Sequence, residues 1–182
     1  PHTAYVASSP QIGWGHKESM TQGDSHYWGV WWGKEPFEKY LKKVPRFMSE
    51  FGFQAMPALA TIRTFQSKAE DSLFSPALRC HQKHPTGFET ISTYLDREEL
   101  KPQTLEEYIF ASQIIQAQGI GMAIEAQRRS KPQCMGSLYW QLNDVWPVTS
   151  WSGIDFQNNW KALQYRIKEV FEDVLVSAIQ QN

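Results

Sequence analysis

Arg46-Phe47-Met48-Ser49-Glu50-Phe51-Gly52-Phe53-Gln54 is the stretch on which the reading turns. Its first five residues form a short apolar strand candidate that closes on a carboxylate. Phe-Gly follows, so Glu50 would project from the C-terminal tip of that strand. An ionised carboxylate in such a place is a competent nucleophile toward an electrophilic carbon. The bland alternative is a rim glutamate paired with Arg46 or another cation, because strand ends also carry structural ion pairs.

Working outward, three more strands are expected. They are Ala4–Ala7, stopped by Ser8-Ser9-Pro10, then His26–Val30, and then Met135–Trp140 with Gln141-Leu142-Asn143-Asp144 as a polar continuation. Pro36 opens a short helix with Phe37, Tyr40 and Leu41 on one face. Pro57, Pro76 and Pro85 break the stretch from 51 to 103 into short helical pieces. Thr104 starts the clearest helix. Thr104 and Glu107 have capping-box spacing, and Leu105, Tyr108, Ile109, Ile115 and Met122 recur at helical intervals. Arg128 and Arg129 suit its C-terminal dipole, and Pro132 marks the stop. Asn159 is expected to cap a last helix that buries Trp160, Leu163, Ile167 and Val170. Val174-Val176 reads as the first strand of another domain, which puts a boundary between 1–172 and 173–182.

Apolar strands alternating with helices imply an α/β fold, a parallel sheet covered by helices. Polar and aromatic residues gather after each strand, as they do on the active-site rim of a (β/α)8 TIM barrel. Four strands make half of one.

The bulk numbers exclude some classes. The chain has 182 residues, 41% hydrophobic and 20% charged, with a formal net charge of -1. No global field would draw it to nucleic acid or to a membrane surface. No apolar run is long enough to cross a bilayer. Aromatic content is 14%, with eight Trp, a composition suited to cores and to sugar-stacking surfaces. Cys80 and Cys134 lack CxxC spacing and are expected to be free, partly buried thiols. Pro1-His2-Thr3 shows no charged-then-apolar leader, so the chain is expected to begin inside something longer and its compartment is undetermined.

Arg46–Gln54 closely resembles the nucleophile strand of the β-mannosidases of glycoside hydrolase family two. Other stretches agree, in the family's order: Ser8-Ser9-Pro10, Gly23-Asp24, His26-Tyr27-Trp28-Gly29-Val30-Trp31-Trp32-Gly33, His81-Gln82-Lys83-His84, Leu138–Val148 and Trp160-Lys161-Ala162-Leu163-Gln164-Tyr165. The resemblance covers nearly the whole chain. It implies strands five to eight of the catalytic barrel, a fragment of a larger multidomain enzyme, with no cofactor and no metal. The implied activity is retaining exo-hydrolysis of terminal β-D-mannose from a β-mannoside or manno-oligosaccharide.

On that resemblance Glu50 is the nucleophile. Trp140 is the floor of the subsite for the terminal sugar, stacking on its C–H face. Trp28 and Trp32 are site walls, and His26 and Tyr27 are candidate donors to Glu50. Taken singly, each Trp is better explained as ordinary core, and only the resemblance reverses that for Trp140. Trp146, Trp151 and Trp160 are read as structural, and Asn143 and Asp144 as structural or supporting. His81 and His84 have an HxxH look, but no third ligand is placed nearby, and they are read as hydrogen-bonders.

The family's acid/base is the Glu of an Asn-Glu pair, and no Asn-Glu occurs in this sequence. The acid/base is therefore expected in the missing N-terminal half of the barrel. The chain alone is expected to be inactive, and, because of its open strand edges, to self-associate, pair with the missing half or be unstable. Two other readings stand beside this one. The first is a related family-two exo-glycosidase, such as a β-glucosaminidase or β-galactosidase. The second is a sugar-binding module without chemistry.

Overall fold

The computed structural model describes Thr3 and residues 5–179. The chain divides into two compact units, one formed by 1–52 with 122–140 and the other by 53–121 with 141–182.

In the first unit, β1 (Ser25–His26) and β2 (Met48–Glu50) pair in parallel. A third segment runs beside β2. Met135 N–H donates to Arg46 O, Leu138 N–H to Met48 O and Trp140 N–H to Phe51 O, at 2.7–2.9 Å. Its one bridge, Met48 to Ser137, is also parallel. Gly136 sits against the Phe47 ring, which occupies the space that any Cβ at 136 would need.

The β1–β2 register is irregular. Ser25 N–H donates to Phe47 O and Tyr27 N–H to Glu50 O, both at 2.8 Å. Between these two bonds the chain advances two residues on β1 and three on β2. The extra residue is a bulge, which re-aims the side chains around it.

Apolar burial surrounds these short strands. Met48, Tyr27, Tyr40 and Phe51 are buried. Tyr40 meets Tyr27 and Phe51 edge to face, at centroid distances of 5.9 and 5.7 Å. Each such ring or aliphatic side chain contributes about 1.5–3 kcal/mol through burial.

The second unit is helical. It holds α1 (Leu59–Ile62), α2 (Pro76–Cys80), α3 (Gly87–Arg97) and α5 (Ala162–Val170). α4 (Leu105–Arg129) gives its residues up to 121 to this unit and the remainder to the first. α2 is capped by Ser75, whose Oγ accepts from Leu78 N–H at 3.1 Å, with Pro76 in the first turn. α4 begins with the expected capping box: Glu107 N–H donates to Thr104 Oγ1 at 3.2 Å, and Thr104 N–H to Glu107 Oε2 at 3.3 Å. Leu105, Tyr108, Ile109 and Ile115 are buried. Met122 is half-buried.

Several expectations are corrected. Ala4 lies outside the described residues, and Tyr5–Ala7 has no regular structure and is exposed. The strand expected over His26–Val30 ends at His26, because the backbone turns at Trp28, where Trp32 N–H returns to Trp28 O at 2.8 Å. Met135–Trp140 follows β2 but carries only the isolated bridge at Ser137. Leu41 is exposed, while Phe37 and Tyr40 are buried as expected. Val174-Val176 has no pairing partner among the described residues, and both valines are exposed. α5 is preceded by Lys161 at its N-cap, not Asn159. Asn159 donates to the Asp155 carboxylate instead, and Trp160 is exposed. Both thiols are free, but Cys80 is exposed and Cys134 buried.

Candidate functional site

Glu50 is the last residue of β2, and its side chain is 25% exposed. Trp28 Nε1–H donates to Glu50 Oε1 at 2.8 Å. His26 Nδ1 lies 3.6 Å from the same oxygen. No ion pair joins Glu50 to Arg46 among the described residues, and Arg46 is exposed. Of the cations that could pair with Glu50, His26 is the one at hand when protonated.

Strand parity explains which neighbours face Glu50. Residues 26 and 28 fall on one side of the chain and 27 on the other. Tyr27 is accordingly buried away from the carboxylate, and its hydroxyl donates to Glu35. Its part in the site is a main-chain one, the N–H bond to Glu50 O. Tyr27 as a side-chain donor to Glu50 is thus corrected, and Trp28, expected as a wall, supplies the hydrogen bond.

Behind this pair lies a polar relay. Asp24 Oδ2 accepts from Ser49 Oγ at 2.6 Å and from Ser9 Oγ. Asp24 Oδ1 accepts from Gln11 N–H at 3.3 Å. Ser9 Oγ also lies 3.2 Å from His26 Nε2. Burial pushes the Asp24 carboxyl up, but the bonds from Ser49, Ser9 and Gln11 outweigh it and hold it below the usual carboxylate range. Sequence reasoning had not assigned Ser9, Asp24 or Ser49 to the site, although Ser8-Ser9-Pro10 and Gly23-Asp24 were among the stretches carrying the resemblance.

Trp140 follows the third segment to its end. Its N–H bond to Phe51 O sets its backbone beside the residue after Glu50, and its side chain is 43% exposed. Trp32 is 55% exposed on the turn after Trp28. Burial pushes the neighbouring Tyr139 hydroxyl up to about 12, so it stays protonated across the physiological range.

The second unit holds a polar cluster of a different kind. Lys161 is 1% exposed, and its Nζ donates to Ala55 O at 3.1 Å and Ser150 O at 3.2 Å. Asp144 accepts from Ser150 Oγ at 2.7 Å, Ser152 Oγ at 2.6 Å and Gln141 Nε2 at 3.2 Å. Asp155 accepts from Thr61 Oγ1 at 2.7 Å and from the main chain of Ala58 and Asn159. Asn143 is exposed. His81 Nδ1 bonds Pro147 O, and its ring stacks flat on Phe65 with centroids 3.7 Å apart. His84 Nδ1 accepts from Thr86 N–H at 3.2 Å. Among the described residues no three His, Cys, Asp or Glu side chains gather as a metal site would need.

The chain is 35% identical to β-mannosidase B of Aspergillus niger over 97% of its length, covering 21% of that protein. It is similar to one segment of the β-mannosidases. β-Mannosidase B of Thermothelomyces thermophilus is 32% identical over 97% of the chain, which covers 22% of it. The fold matches the crystal structure of a β-D-mannosidase from Dictyoglomus thermophilum with a TM-score of 0.84 and 41% identity. That match covers 87% of this chain and 20% of that one. The chain thus spans about a fifth of the length of these β-mannosidases. No family profile matches it.

Proposed function

We propose that this chain is the C-terminal half of the catalytic (β/α)8 barrel of a retaining exo-β-mannosidase of glycoside hydrolase family two, with Glu50 as its nucleophile. The observation that carries the reading is the quarter-exposed Glu50 carboxylate at the end of β2, oriented by the Trp28 indole N–H at 2.8 Å. The similarity to β-mannosidases over 97% of the chain supplies the sugar.

Both contacts to Glu50 fall on Oε1, so Oε2 attacks the anomeric carbon of the terminal β-D-mannose. A bond forms from Oε2 to C1 as the bond from C1 to the aglycone oxygen breaks. A carboxylic acid from another part of the enzyme protonates the departing oxygen. As a carboxylate it then takes a proton from water, which displaces Glu50 and releases mannose. Retention requires the two carboxyl groups to stand about 5–5.5 Å apart. Negative charge on Glu50 also stabilises the oxocarbenium-like transition state. Trp140 forms the floor beneath the sugar, with Trp32 and Trp28 as walls and His26 beside the nucleophile. The barrel portion ends near residue 172, and 173–182 begins the next domain. The isolated chain is inactive, because it offers Glu50 without the acid.

The test is inactivation of the complete enzyme with a 2-deoxy-2-fluoro-β-mannosyl fluoride, followed by peptide mapping. Label on Glu50 is the expected result. An active enzyme that takes no label there overturns the assignment. Turnover by the isolated 182-residue chain would refute the claim that it lacks its acid.

A further inference from the structure

Glu50 sits at the end of a bulged strand, so its direction depends on whatever holds the bulge. We infer that Asp24 is a positioning residue for Glu50: its carboxylate pins the bulge of β2 through Ser49 and steadies His26 beside Glu50 through Ser9. The inference rests on Glu50 being the nucleophile.

The argument starts from the register. Two residues of β1 face three of β2 between the Ser25–Phe47 and Tyr27–Glu50 main-chain bonds. Ser49 lies in that interval, next to Glu50. Its Oγ is 2.6 Å from Asp24 Oδ2 and 3.1 Å from Ser25 O, so the hydroxyl ties β2 to β1 where the ladder is irregular. A bulge is free to slide unless such a tie holds it. The second arm runs through Ser9, whose Oγ bonds the same Asp24 oxygen and stands 3.2 Å from His26 Nε2. The other ring nitrogen, Nδ1, is 3.6 Å from Glu50 Oε1. The remaining Asp24 oxygen holds Gln11 N–H at 3.3 Å, which fixes the loop that carries Ser9. One carboxylate thus touches both the residue preceding the nucleophile and the residue that orients its neighbour. It does not touch Glu50, and a substrate need not reach it.

Displacing a nucleophile by a fraction of an ångström slows attack more than it weakens binding. In the complete enzyme, Asp24→Ala should lower kcat by about tenfold to a hundredfold and leave KM within about threefold. The rate of fluoromannosyl trapping on Glu50 should fall in parallel. Asp24→Asn keeps an acceptor oxygen for the two serines and should recover most of the trapping rate. Ser49→Ala should slow trapping less than Asp24→Ala, and the double variant should be no slower than Asp24→Ala, because the two side chains act as one unit. A merely structural Asp24 would lower the yield of folded enzyme and leave the trapping rate of each folded molecule unchanged; that result overturns the inference while Glu50 stands. Failure of the wild type to label Glu50 overturns both. If Asp24→Ala does not fold, Ser49→Ala decides: trapping at the wild-type rate overturns the inference, and slower trapping with unchanged KM supports it.

Discussion

The clusters around Glu50 and Lys161 are built from the same kinds of groups and serve opposite ends. Glu50 is a quarter exposed, and its carboxylate is held on one oxygen by side chains, Trp28 and His26. Lys161 is 1% exposed and donates to two backbone carbonyls, Ala55 and Ser150, which are themselves partners in an antiparallel bridge. A charge spent on main-chain oxygens inside a dry core fastens segments together. A charge held by side chains and open to solvent stays available for a reacting atom. Asp155 repeats the first pattern, taking main-chain donors from Ala58, Gln157 and Asn159, while the buried Asp144 is held by the side chains of Ser150, Ser152 and Gln141. On the proposed function, a charged residue acquires chemistry from what it leaves unbonded.

The contrast breaks first at Glu50. Glu50→Gln keeps size and removes charge, and kcat of the complete enzyme should fall by about 10^4-fold or more, as for other nucleophile deletions. Stability should change little, since the side chain is part-exposed; a large loss of stability would put Glu50 in the same class as Lys161. Trp28→Phe removes the single indole donor while keeping an aromatic wall. It should lower kcat about tenfold to a hundredfold with a small change in KM, measured by steady-state mannoside hydrolysis. Lys161 should have the smallest effect on kcat, and its signature is a pH dependence of stability. Burial pushes its ammonium down to about 8 from the usual 10.5, against the pull of Asp144 and Asp155. Between those values the unfolded chain holds the proton that the folded chain has shed. Stability should therefore rise with pH across that window, by on the order of 3 kcal/mol, with the penalty fully present below it. Lys161→Met should flatten the rise, read from denaturant midpoints of the complete enzyme at several pH values, and should leave mannoside turnover unchanged.

Much of the fold was legible where the signal is local. The capping box at Thr104 and Glu107 and the apolar spacing after it identify α4 without any tertiary information. The tip position of Glu50 was equally plain, because Phe51-Gly52 follows a short apolar run. Strand lengths were not legible. Tyr5–Ala7 and Val174-Val176 have strand-like composition, but a strand exists only when a neighbour takes up its main-chain bonds, and none does so among the described residues. The early end of β1 at His26 depends on the turn from Trp28 to Trp32, which composition does not announce. In the site, the side-chain parity of 26, 27 and 28 was available from the sequence and would have turned Tyr27 away from Glu50. The partnership of Ser9, Asp24 and Ser49 was not, since it joins residues up to 40 positions apart through a bulge that only the folded register creates.

Gly136 carries a consequence for how such a chain can change over generations. The Phe47 ring fills the volume where any larger residue would put its first carbon. The segment that brings Trp140 alongside the residue after Glu50 therefore lies against β2 only while position 136 is bare. In a saturation library selected for mannoside hydrolysis, Gly136 should appear as an almost empty column. A second change that shrinks Phe47 should be the most direct route by which it refills. The constraint runs one way: position 136 cannot grow until 47 has shrunk, whereas 47 is free to shrink first.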